Sequence, residues 1–98
     1  MNLQSTEIAD GVHEYILWKG ENGKQAAIYE FQENTEFNGI DAHEYGEEHI
    51  FVISGIFSDG KIDYQEGSYI VNPRGTAHIP QSKVGCVVLV TFPNGRQF

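Results

Sequence analysis

The sequence predicts an all-β chain, and three observations carry that prediction. Nowhere do apolar residues recur at helical spacing over a dozen positions. Short runs rich in β-branched and aromatic residues alternate apolar with polar, the period of a half-buried strand. Turn-forming pairs such as Asn22-Gly23, Asp59-Gly60 and Asn94-Gly95 separate these runs at short intervals. Short strands punctuated this way pack as a sandwich or barrel.

Taken in order, residues 1–10 are polar and read as an irregular lead-in, with one domain expected over 11–98. Val12 to Lys19 reads as a strand with Val12, Ile16 and Trp18 on one face and His13, Tyr15 and Leu17 on the other. Gly20-Glu21-Asn22-Gly23 carries the chemistry of a tight hairpin turn with positive φ, and Gln25 to Phe31 returns. Glu33 to Glu36 is turn-like, and a weak strand from Phe37 toward His43 contains Gly39, a signal for a bulge or a close backbone approach. Glu48 to Ile53 is a strong strand. Phe57 and Ile62-Asp63-Tyr64 flank the Asp59-Gly60 turn, Ser68 to Asn72 extends, and Pro73-Arg74-Gly75 turns again. Val84 to Phe92 is apolar almost throughout, as a strand covered on both faces would be.

With 98 residues the chain has room for one core. Six basic against 14 acidic residues give a net charge of −8, which disfavours nucleic acid and anionic membranes as partners, since both need a basic face. The single cysteine, Cys86, supports neither an internal disulfide nor a thiolate zinc site. No run reaches the ~20 apolar residues that cross a bilayer, and the first residues lack the pattern of a signal peptide. A cytoplasmic location is expected.

Two runs bear chemistry, one from His43 to Gly55 and one from Gly67 to His78. Residues two apart on a strand share a face, so Asp41 points with His43, and Glu48 with Ile50, Val52 and Ser54. The turn at Tyr45-Gly46 can bring Glu48 beside His43, and His78 follows a Pro-x-Gly turn that fixes it on a neighbouring strand. Two imidazoles with one or two carboxylates in a partly open cavity suit a divalent ion such as Fe, Mn, Ni or Zn. A shift of one residue in register would exchange Glu47 for Glu48 on the inner face. His49 lies opposite Glu48, placed for surface or subunit contact, and His13 reads as an ordinary strand residue.

These runs resemble the two motifs of a small cupin. Asp41-x-His43, four residues, Glu48, six residues and Gly55 follow the first motif, and Gly67, Pro73, Gly75 and His78 meet every fixed position of the second. The surrounding wording, from Gly46-Glu47-Glu48 through Asp63-Tyr64-x-x-Gly67-Ser68-Tyr69 to Gly85-Cys86, is similar to the ChrR-like branch, named after the C-terminal domain of an anti-sigma factor. The resemblance implies a jelly-roll barrel, or double-stranded β-helix, with His43, Glu48 and His78 as ligands to a divalent metal. Asp41 stands where the family has a histidine, so it is a hard oxygen ligand, a neighbour behind the ligands, or a sign of an open position. No helical segment or His/Cys cluster is read ahead of the barrel in these residues, so a sigma-factor role is not expected to carry over.

The expectation is therefore a metal-binding cupin that binds or transforms a small molecule, in its sharpest form a dioxygenase acting on a small carbonyl or enediol compound. A non-catalytic module sensing a metal or small oxidant is the alternative, and a barrel that has lost its metal is a third. Gly55, Gly67 and Gly75 are expected as turn formers, Trp18, Tyr29, Phe51 and Tyr69 in core or interface, and Cys86 as a buried structural thiol. Phe51 and Ile53 face away from Glu48, so a homodimer through that face is expected.

Overall fold

A computed structural model describes residues 4–37, 41–42 (backbone only) and 46–95. Among them twelve strands follow one another: β1 (Thr6–Ala9), β2 (Val12–Lys19), β3 (Gln25–Phe31), β4 (Thr35–Glu36), β5 (Asp41–Ala42), β6 (Glu48–Gly55), β7 (Phe57–Ser58), β8 (Asp63–Tyr64), β9 (Tyr69–Asn72), β10 (Ala77–His78), β11 (Gln81–Ser82) and β12 (Cys86–Phe92). The only helical element among the described residues is a 3-10 turn at Glu21–Gly23. The all-β expectation holds. Its reason is visible in β6 and β12, where buried and less buried residues alternate with period two.

The strands form a six-stranded sheet in the order β1-β2-β3-β12-β6-β9, a four-stranded sheet β4-β11-β7-β8 and a two-stranded ladder β10-β5, every pairing antiparallel. The sheets face each other as a jelly-roll sandwich without joining into one hydrogen-bonded ring. Phe31 of the first sheet meets Phe57 of the second edge to face, ring centroids 6.0 Å apart. Ile50, Val52, Val88 and Val12, each at most 2% exposed, fill the space between, each contributing about 1.5–3 kcal/mol by leaving water. Ser82 ties the smaller sheet together, its hydroxyl donating to the Ile56 carbonyl at 2.6 Å.

Three sequence expectations change. Thr6–Ala9 is a strand rather than irregular lead-in, because its polar residues sit on an edge where backbone pairing to β2, with His13 Nε2 3.4 Å from Glu7, is enough to hold it. Trp18 leaves the face it was expected to share with Val12 and Ile16: the β2–β3 register slips between Ile16 and Trp18, and the indole is 55% exposed. The apolar strand β12 is covered on one face only, with Cys86, Val88, Val90 and Phe92 buried and Val87, Leu89 and Thr91 half-buried. The weak strand expected from Phe37 to His43 falls largely outside the described residues, which hold only Phe37 and the short β5 of it.

Asn22 and Gly23 both take positive φ, 58° and 77°, as the hairpin chemistry required. Gly55 is held more tightly. Its φ is +76°, and a Cβ there would meet the Gly85 carbonyl oxygen and lie 2.8 Å from the Cys86 Cα, where the end of β6 crosses the start of β12. Gly55→Ala is accordingly expected to lower stability by about 2 kcal/mol or more in urea unfolding, since backbone strain and a backbone clash add.

Candidate functional site

Because the side-chain period on a strand is two, the pairing of β6 between β12 and β9 decides which carboxylate of Glu47-Glu48 faces inward. It is Glu48, 3% exposed beside Ile50 and Val52 on the core face. Glu47 points outward, where Asn94 donates to it at 2.8 Å and His49 Nε2 lies 3.4 Å away. His49 Nδ1 meets the Tyr69 hydroxyl at 2.5 Å on that same outer surface. Tyr69, expected in core or interface, is 60% exposed.

His78 is carried on the short strand β10, after a turn closed by the Thr76 N–H and hydroxyl bonding the Pro73 carbonyl at 3.3 and 2.6 Å. Its backbone register partner is Asp41, so the topology sets the Asp41 backbone directly opposite His78. His78 Nε2 reaches Glu48 Oε1 at 3.1 Å, with both side chains almost wholly buried. Of the four residues expected as ligands, the structure thus brings Glu48 and His78 together. His43 and the Asp41 side chain lie outside the described residues. Among the described residues no group of three His, Cys, Asp or Glu side chains is gathered as a metal would need.

The separation of Glu48 and His78 can be compared with what a shared ion requires. Donor atoms about 2.1 Å from one ion and at right angles to each other lie about 3.0 Å apart, close to the observed spacing. An imidazole nitrogen and a carboxylate oxygen, held on rigid strands and shielded from water, form a donor set suited to first-row divalent ions.

Both residues line a cavity of about 290 Å³, at the small end of the range for small-molecule sites, whose walls are mainly apolar: Val12, Phe31, Ile50, Phe57, Val88 and Val90 among them.

Sequence reasoning missed the part that four residues play at or near this site, Tyr29 having been expected only in core or interface. Asn72, paired with Glu48 in the ladder, donates to Glu48 Oε1 at 3.3 Å; it sits inside the second motif run but at an unfixed position of the pattern. Asp59 accepts from Lys61 N–H and Ile62 N–H, both at 2.8 Å, while its own carbonyl takes the Ile79 N–H at 3.1 Å and so anchors the chain leaving His78. Burial pushes the Asp59 carboxyl up, but those two N–H groups, the nearby His78 and the Tyr64 hydroxyl outweigh it and hold it below its ordinary value. Glu14 and Tyr29, joined by a 2.6 Å hydrogen bond, also line the cavity; the even-numbered inner face of β2 was the signal that could have found Glu14.

Cys86 lies in the core and is 4% exposed. Burial pushes its thiol up to about 11, the Ser82 hydroxyl drawing it only partly back. The folded chain therefore keeps a proton that the unfolded chain releases above the ordinary value of 9.0. Stability from this group is complete below pH 9 and is lost as pH rises through about 11. Between these limits the wild type is expected to lose of order 2 kcal/mol more than Cys86→Ala in denaturant titrations. At pH 8 the native thiol is expected to resist aromatic disulfide reagents until urea unfolds the chain.

A sequence model for the ChrR cupin-like domain matches residues 2–94. No curated protein matches the chain. Among solved structures, the polyketide cyclase RemF from Streptomyces resistomycificus superposes with a TM-score of 0.82 at 20% identity, covering 97% of this chain and 76% of that one. The Rhodobacter sphaeroides SigE complex with the anti-sigma ChrR gives 0.78 at 19% identity over 93% of this chain, which spans 50% of the chain it matches there. KdgF from Halomonas sp. gives 0.71 at 18% identity, with 91% and 86% covered. At these identities the structural likeness establishes the jelly-roll fold.

Proposed function

We propose that this chain, which belongs to the ChrR cupin-like domain family, is a small-molecule-binding cupin that holds a divalent metal through His43, Glu48 and His78, with Asp41 as a further oxygen ligand. The observation that carries this reading is the buried Glu48–His78 pair, 3.1 Å apart on the wall of an apolar cavity. A carboxylate and an imidazole placed side by side in such apolar surroundings favour a positive charge held between them. A bound divalent ion would supply that charge, together with Lewis-acid polarisation of an oxygen-bearing ligand and, for iron, a place for O₂. The chain's own contribution is to fix the donors: Asn72 orients Glu48, and the Pro73 turn with the Asp59–Ile79 bond fixes the strand bearing His78. Apolar walls keep water from the pair and leave room for a molecule of modest size.

The sharper form of this reading is an oxygenase acting on a small carbonyl or enediol compound, with Fe, Mn, Ni or Zn as the candidate ions. A non-catalytic sensing module is the second reading, favoured by the likeness to the Rhodobacter sphaeroides complex of SigE with the anti-sigma ChrR. The outer surface bearing Phe51, Ile53 and Val71, each 39–48% exposed, is where a second copy of the chain would pack.

The test is metal content by elemental analysis of untagged protein purified without chelators, beside a His43→Ala, His78→Ala double variant. Near-stoichiometric first-row metal in the wild type, reduced at least tenfold in the variant, is expected. A wild type that stays metal-free after reconstitution would contradict the reading. Light scattering on the same preparations reports the mass, a dimer being expected.

A further inference from the structure

The cavity has a second polar station that the Glu48–His78 pair does not use. Strand β2 sends Val12, fully buried, and then Glu14 toward the interior. Across the ladder Glu14 faces Tyr29 of β3, whose hydroxyl donates to Glu14 Oε2 at 2.6 Å. The surroundings on that wall are Val12, Phe31 and Val88, so the period-two pattern calls for an aliphatic residue at position 14. A carboxylate there forfeits apolar burial, and one cross-strand hydrogen bond to a tyrosine could be replaced by two apolar side chains at little cost.

Its position matters too. Tyr29 faces Val88 across the ladder, while His49, next to Glu48, faces Thr91. Glu48 and Tyr29 are thus separated by roughly 13 Å along the strands and about 10 Å across them, distances that the curvature of the sheet reduces while keeping both on one cavity wall. The space between them is lined by Ile50, Val88 and Val90.

A carboxylate offers two oxygens and about four lone-pair sites, and the Tyr29 hydroxyl occupies one. Glu14 is half-buried, and the acceptor capacity that remains on it lies on the wall of an apolar chamber, where a hydrogen-bond donor carried by a ligand can use it.

We propose that Glu14, positioned by Tyr29, is a specificity-determining residue that accepts a hydrogen bond from a hydroxyl on a ring-sized, largely apolar ligand, whose other end lies toward Glu48 and His78. The inference deepens the small-molecule reading and rests on it, without depending on metal. It assigns the ligand class: hydroxylated aromatic or alicyclic compounds, in preference to their ethers or hydrocarbons.

The test uses 2-naphthol and 2-methoxynaphthalene, identical in their bicyclic body and differing in the single donor. Binding to the full chain is followed by the anisotropy of each probe's own fluorescence, with and without added divalent metal. The naphthol is expected to bind at least tenfold more tightly than the ether in both conditions. In Glu14→Leu the ratio is expected to fall to about one; in Tyr29→Phe, which keeps the cavity but frees the carboxylate, it falls by severalfold. A ratio near one in the wild type overturns the assignment while leaving the cavity reading intact. Saturation by neither probe overturns both. A wild-type preference that persists in Glu14→Leu marks a steric effect and also overturns the assignment; if that variant does not fold, an unchanged ratio in Tyr29→Phe does the same.

Discussion

The constraint on which the rest depends is the inward placement of Glu48. A carboxylate 3% exposed inside an apolar sandwich is tolerable only when fully engaged, and the structure surrounds it with His78 Nε2 at 3.1 Å and Asn72 Nδ2 at 3.3 Å. Three strands converge to make those contacts: β6 brings the carboxylate, β9 the amide and β10 the imidazole. A slip of one residue in the β6 ladder would turn Glu48 out and bring Glu47 and His49 in, inverting both the site and the core face made by Ile50 and Val52. Core and site are therefore specified by the same register.

The same strand is fixed at its far end as well. Gly55 ends β6 where no side chain fits against the start of β12, and β12 bridges β3 and β6 at the centre of the larger sheet. The four-stranded sheet closes over the other side through Phe57 on Phe31, leaving a chamber between the layers. Among the described residues, polar groups occur on that chamber's wall in two places, Glu48–His78 and Glu14–Tyr29, each pair held together by a hydrogen bond. Rigid strands at both places suit selection among ligands by the placement of oxygen atoms.

Much of this was legible in the sequence, and the failures have physical causes. Strands Val12–Lys19 and Gln25–Phe31 coincide with the alternation read from residues, because period-two patterning and the Asn22-Gly23 turn agree. The Gly67–His78 run was legible because a turn with fixed Pro and Gly positions leaves a rigid spacing in sequence. What escaped was set by pairing rather than by composition. β1 is a polar edge strand made by backbone bonds to β2, and the exposure of Trp18 follows from a register slip that no residue type announces. Likewise, the choice between Glu47 and Glu48 needed the ladder, and the Glu14–Tyr29 pair needed the knowledge that β2 and β3 are neighbours with that register.

The measurement that bears most directly on the central claim is a Co(II) titration of isotopically labelled protein followed by amide NMR. Paramagnetic broadening centred on Glu48, Asn72 and His78 is the predicted result, with the outer cluster of Glu47, His49 and Tyr69 affected only at higher metal. Broadening that begins at Glu47 and His49 and spares His78 would contradict the account, placing the metal-binding surface on the outside of the sheet.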